Sequence, residues 1–233
     1  MNKSIFRSVF LSLLCIVVPL SRSGAQIITT ADSFFVSVSD VYANIKDYSA
    51  NIVISAGAAP KTETMSGRCI FKRPNLLRID FTNPDTQTIV FNGEVLTIYL
   101  PNYNVVLNQS VEKGNGTSGA SLATPQGLSL MKRYYSIAYE TGADPVLLEE
   151  SSAEKVIVLL LSRRSTTEMF RTIRLMIDPA TKLIRRIDAR NISGDQIRFD
   201  FTGYALNQGI LDNRFVYESP SSANMFNDFL FIE

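Results

Sequence analysis

The stretch Phe71-Lys72-Arg73-Pro74-Asn75-Leu76-Leu77-Arg78-Ile79-Asp80-Phe81 decides the fold; it runs on through Asn83-Pro84-Asp85, residues 88–91, Asn92-Gly93 and residues 96–100. Leu77, Ile79 and Phe81 alternate with Arg78 and Asp80. Side chains two apart on a strand share a face, so three apolar groups point one way and the charges the other. Ile89 and Phe91, then Leu96, Ile98 and Leu100, carry the alternation across Asn92-Gly93, a pair suited to a tight antiparallel turn. Successive strands therefore contribute to one apolar face. By pattern alone such a face fits an ordinary packed core as well as a hollow that admits a ligand, because inward apolar residues look alike in both.

Outward from this stretch, alternating runs rich in Ile, Val, Phe, Thr and Tyr predict strands at 49–56, 65–72, 76–82, 86–91, 95–100 and 103–107. Further strands are expected at 134–140, 155–163, 171–178, 183–190 and 196–206. Pro101-Asn102, Asp178-Pro179-Ala180-Thr181-Lys182 and Ser193-Gly194-Asp195 are turn sequences for a meander. Before the first strand, residues 31–48 place Phe34, Phe35, Val38, Val41, Tyr42 and Ile45 at helical spacing, with Thr30 suited to cap the start. A polar Gly-, Ser- and Asn-rich loop is expected at 112–121, followed by Pro125 and a short helix at 126–133. No internal repeat or linker divides the chain, so residues 26–233 read as one domain.

Residues 1–25 read as a cleaved signal peptide: Lys3 and Arg7 flank an apolar run over 9–20, and Ser23-Gly24-Ala25 supplies small residues for cleavage. The run is about a dozen residues, short of the ~20 that span a bilayer as a helix. Cys15 lies inside it, leaving Cys69 as the one mature cysteine, expected to be a buried small apolar residue with no disulfide partner. Cleavage removes Lys3, Arg7 and Arg22 from 23 basic residues and no acid, leaving 20 against 22, a net charge of −2. That balance provides no basic stripe for nucleic acid.

With 45% apolar and 19% charged residues the composition is that of a globular domain. Histidine is absent, which removes His-based general bases, Ser-His-Asp and Cys-His arrangements and the commonest metal ligand. Acid-base work by a carboxylate pair is the enzymatic reading left, and sequence shows no such pair converging. The expectation is a non-catalytic protein without cofactor or metal.

The quoted stretch resembles the LolA family of periplasmic lipoprotein carriers, whose members show Phe-Lys-Arg-Pro-Asn, a strand, Pro-Asp and a hairpin on an Asp/Asn-Gly turn; the likeness covers residues 67–107. A weaker echo lies in Ile177-Asp178-Pro179, residues 183–187 and 196–201, and the closing Arg214-Phe215-Val216-Tyr217 with Pro220. The resemblance implies a mainly β fold (α+β), an incomplete antiparallel β-barrel with a helical lid enclosing a hydrophobic cavity. It implies cavity residues Phe71, Leu77, Ile79, Phe81, Ile89, Phe91, Leu96, Ile98 and Leu100, with Phe34, Val38 and Val41 from the lid. Arg73 matches the family arginine that joins barrel to lid, so a latch on lid carbonyls is expected, and Leu77 matches the apolar residue near the cavity mouth. The chain departs from many members in lacking tryptophan, with Ile79 and Thr97 where aromatics are common.

The function so implied is a soluble, monomeric periplasmic carrier of acylated lipoproteins from inner to outer membrane. Its partners would be an inner-membrane releasing complex and an outer-membrane acceptor. A lipid or lipoprotein sensor and an outer-membrane lipoprotein receptor share this fold and are the alternatives.

Overall fold

The computed structural model describes residues 29–57, 61–110 and 123–228. The signal peptide expected at 1–25 and the polar loop expected at 112–121 lie outside the described residues. The helix α1, Ala31–Asn44, starts where the Thr30 hydroxyl accepts a hydrogen bond from the Ser33 amide at 3.2 Å. Its spacing predicts a helix to 48, but the chain turns extended at Ile45 (φ −75°, ψ 122°). Tertiary bonds cause this early exit. The buried Asp47 carboxylate accepts from the Gln208 and Gly209 amides at 2.7 and 3.1 Å, and the Lys46 amide donates to Asn207 Oδ1 at 2.7 Å. These bonds draw residues 47 and 48 into a strand.

The first meander comprises β1 (Asp47–Gly57), β2 (Glu63–Lys72), β3 (Leu76–Asn83), β4 (Asp85–Phe91), β5 (Val95–Leu100) and β6 (Val105–Ser110). After α2 (Pro125–Tyr134) come β7 (Tyr135–Tyr139), β8 (Val146–Leu147), β9 (Lys155–Arg163), β10 (Phe170–Ile177), β11 (Ile184–Asn191) and β12 (Gln196–Leu206). A short strand, β13 (Asn224–Asn227), ends the described chain. The strand order is β13-β6-β5-β4-β3-β2-β1-β12-β11-β10-β9-β7, with β8 paired beside β9. Pairing of β1 with β12 joins the two meanders into one curled sheet, and β13 and β7 stand at opposite ends, so the barrel is open. All pairings are antiparallel except β13 on β6, which is parallel.

Turn chemistry matches the expected connectors. Asn92 Oδ1 accepts from the Glu94 and Val95 amides at 3.0 and 2.8 Å, and Gly93 takes a φ of +100°. Asp178 Oδ1 likewise accepts from the amides of Ala180 and Thr181 at 3.0 and 2.6 Å. Tyr103, expected to begin a strand, sits instead in the Pro101–Tyr103 turn and is exposed.

One face of the sheet is apolar and carries α1 and α2. Tyr48, Ala50, Ile52 and Ile54 of β1 are buried there with Phe199 and Phe201 of β12 and Ile173, Leu175 and Ile177 of β10. The opposite face holds charge. Arg186 bridges Asp200 and Glu149 at 2.5 Å each, and Arg185 forms two bonds to Glu154, strapping the segment around β8 over Val156, Val158 and Met176. On the same outer face, Arg78 donates to the carbonyl of Arg214 at 3.1 Å, holding the Asp212–Phe215 turn. At β2, Gly67 allows the close approach of β3: a Cβ there would lie 2.2 Å from the Asp80 carbonyl oxygen.

Candidate functional site

The concave face is built by register. Cys69, Ile79, Ile89, Ile98 and Leu107 are paired in sequence across β2 to β6, so their side chains share the inner face; Phe71, Leu77, Phe91 and Leu96 form the next row. Phe71, Leu77, Ile79 and Phe81 are buried with Phe34 and Val38 of α1 in one cluster, and Val41, Ile89 and Phe91 pack at its border. Leu96 is buried, but Ile98 and Leu100 of β5 are only half-buried, so coverage thins toward β6.

Beneath α1 the face is occupied by the protein's own side chains. Tyr48 lies 5.3 Å from Phe71 and 5.4 Å from Tyr204, and Tyr42 meets Tyr48 edge-on at 6.4 Å between ring centres. The expected lining residues thus fall in two zones, one under α1 and one beyond it on β4 to β6.

Few polar bonds hold α1 down. Tyr42, fully buried, accepts from the Ile184 amide at 3.1 Å and lies 3.3 Å from the Tyr204 hydroxyl, which donates to the Ile184 carbonyl at 2.9 Å. Arg73 Nη1 donates to the carbonyl of Ala43, in the last turn of α1, at 2.7 Å. At the other end Tyr139 donates to the Thr29 carbonyl at 3.0 Å, and Lys182 Nζ sits 4.5 Å above the Phe34 ring. The Tyr48 hydroxyl donates to the Ala123 carbonyl at 2.9 Å, tying the start of α2 to β1. Burial pushes Tyr42 up to about 12 and raises Tyr48 and Tyr204 well above the phenol value; Cys69 beside them is pushed up to about 12, also by burial. All four stay neutral, and the bonds that join Tyr42, Tyr204 and Ile184 beneath α1 carry no charge.

Tyr42, Tyr48, Tyr204 and Leu107 were not anticipated as site residues. A tyrosine at an inward strand position is a usable signal, since a buried hydroxyl needs a partner. The groove of about 430 Å³ on the outer face is of another kind: Arg174 forks onto Glu140 at 2.7 and 2.6 Å, and Arg198 bonds Asp188 at 2.7 Å. Those pairs engage all its charges but that of Arg190, which is exposed to solvent. Among the described residues no group of three or more His, Cys, Asp or Glu could hold a metal ion, and no helix is long and apolar enough to cross a membrane.

An open antiparallel sheet with helices laid over its apolar concave face defines a class of half-barrel binding folds. The family model described as outer membrane lipoprotein carrier protein LolA matches residues 53–218, and the chain belongs to that family. An outer-membrane lipoprotein carrier protein of Leptothrix cholodnii is 25% identical over 175 residues, 75% of this chain and 76% of the relative. A protein of the same description from Albidiferax ferrireducens is 27% identical over 113 residues, 48% of this chain; the match spans 53% of that relative, about half its length. Among solved structures, an uncharacterized conserved protein from Thermus thermophilus shares the fold at a TM-score of 0.51 and 14% identity, covering 82% of this chain and 97% of the other. A LolA superfamily protein from Nitrosomonas europaea has a TM-score of 0.43 at 12% identity, covering 81% and 98%.

Proposed function

We propose that the chain is a periplasmic carrier that takes acyl chains of lipoproteins onto its concave face and conveys them from the inner to the outer membrane, without catalysing a reaction. The observation that carries this reading is the graded apolar face: half-buried at Ile98, Leu100 and Leu107 of β5 and β6, and capped beneath α1 by a helix with few polar ties. Each buried methylene of an acyl chain is worth about 0.8 kcal/mol, so a multiply acylated protein does not leave a membrane unaided. Lifting α1 exposes Phe34, Phe35, Val38 and Tyr42, at roughly 1.5–3 kcal/mol each, about 6–12 kcal/mol together. About a dozen newly buried methylenes return roughly 10 kcal/mol. The two nearly cancel, which leaves the moderate affinity a carrier needs to hand its cargo on.

In this reading Arg73 favours the closed position of α1 and its bond to Ala43 breaks when cargo enters. Donor and receiver would be an inner-membrane releasing complex and an outer-membrane acceptor. The test is binding: a triacylated lipopeptide is mixed with the protein in detergent, the detergent is dialysed away, and aggregated lipopeptide is removed by centrifugation. A soluble one-to-one complex is expected. Lipopeptide that sediments wholly, at excess protein, would refute the carrier reading.

A further inference from the structure

The apolar row that runs through Ile79, Ile89, Ile98 and Leu107 does not stop at β6. Phe226 of β13 pairs with Leu107, and residues paired across two strands present their side chains to the same face. The row therefore crosses five strands, from β3 to β13, without a polar side chain. Exposure rises along it, from 0% at Ile79 through the half-buried Ile89, Ile98 and Leu107 to 51% at Phe226. Its neighbours at the β13 end are polar: Gln109 lies in the row of Leu96, and Asn224 pairs with Val105. The strip thus narrows from Val105 and Leu107 on β6 to Phe226 alone on β13, at the open edge of the sheet. The match to the family model ends at residue 218, before β13 begins.

We infer that β13 adds an acyl-chain subsite, with Phe226 as its outer lip; the inference rests on the carrier reading above. Dimension and chemistry choose the occupant. Four inter-strand steps of about 4.8 Å make the lane roughly 19 Å long. One acyl chain reaches about 15 Å, half of the ~30 Å hydrocarbon core of a bilayer. A single chain laid across the strands from the Phe226 edge covers three of the four steps, with its far end at the half-buried Ile89 and its head group beside the polar edge. Met225, equally exposed at 56%, pairs with Val106 and points to the opposite face, so the same strand carries its own control.

The test is a fluorescence titration of the full mature chain with dansyl-undecanoic acid. Phe226→Ser should weaken binding about four- to tenfold, the share of a phenylalanine's burial still available at that position. Phe226→Leu should bind within about twofold of the parent, and Met225→Ser should match the parent. Parent-like binding by Phe226→Ser, or an equal loss in Met225→Ser, overturns the subsite while leaving the carrier reading intact. A parent that does not bind the probe overturns both.

Discussion

Removing one oxygen from Tyr42 tests how the helix is held. In Tyr42→Phe the ring still fills its place against Tyr48, but the buried Ile184 amide loses its acceptor, 3.1 Å away, and Tyr204 keeps its own bond to the Ile184 carbonyl. One buried backbone donor is left unpaired, at a cost of about 1–3 kcal/mol. For a chain of this size each kcal/mol lowers the melting temperature by about 2–4 °C, so a fall of roughly 2–12 °C is expected by calorimetry. The same loss weakens the closed position of α1 relative to the lifted one, where water can reach the amide. Affinity for dansyl-undecanoic acid should therefore rise, by about tenfold for 1.4 kcal/mol, since apparent affinity scales with the population of the receptive state. An unchanged melting temperature would show that the hydroxyl does not hold Ile184. A lowered one with unaltered probe affinity would show that α1 does not move when ligand binds.

Arg73→Leu removes an exposed bond to the Ala43 carbonyl; it should raise probe affinity about two- to tenfold, cost only about 0.5–1.5 kcal/mol in urea unfolding, and make lipopeptide accumulate on the carrier. Gly67→Ala forces a Cβ to 2.2 Å from the Asp80 carbonyl oxygen, and because that neighbour is backbone the β2–β3 pairing must shift; a loss of about 3 kcal/mol or more is expected in the same assay. Cys69 has a folded value near 12 against an ordinary 9.0, so the folded state holds its proton more tightly. The stability from this group is complete below pH 9 and is lost as pH rises toward 12, roughly 4 kcal/mol in all; Cys69→Ala should unfold at a higher pH than the parent in an alkaline titration. Glu154 behaves oppositely: its bond from Arg185 lowers it below 4.5, so its contribution is present above that pH and fades as pH falls through the depressed value. Arg185→Met should flatten the acid limb of the stability curve.

Much of the sheet was legible because its strands have one dry face, and period-two alternation is the direct trace of that asymmetry. The strands at 95–100, 155–163 and 196–206 coincide with those in the structure. What escaped lacked the trace. β8 has two residues, and β13, Asn-Met-Phe-Asn, is exposed along its whole length and gains its place from pairing with β6 alone. The overlong helix has a similar cause: Tyr48 is inward on the strand and also falls on the helical period, so only the bonds from Asp47 to residues 208 and 209 distinguish the two. At the site, alternation identified the apolar rows but not what lies over them. Whether Leu77 or Leu100 is covered depends on where α1 is anchored, and those anchors, Tyr42 to Ile184 and Arg73 to Ala43, join residues 142 and 30 positions apart.

On the proposed reading, acyl chains reach the covered zone by lifting α1 from the sheet, because the half-buried lane has room for one chain and a lipoprotein carries several. Spin labels at Asp40→Cys on the exposed side of α1 and Glu94→Cys in the β4–β5 turn, in a Cys69→Ala background, report that separation by pulsed electron resonance. Saturation with triacylated lipopeptide should replace the short distance with a longer one, and the unacylated peptide should leave it alone. Stoichiometric binding of the acylated peptide at an unchanged distance would contradict the account.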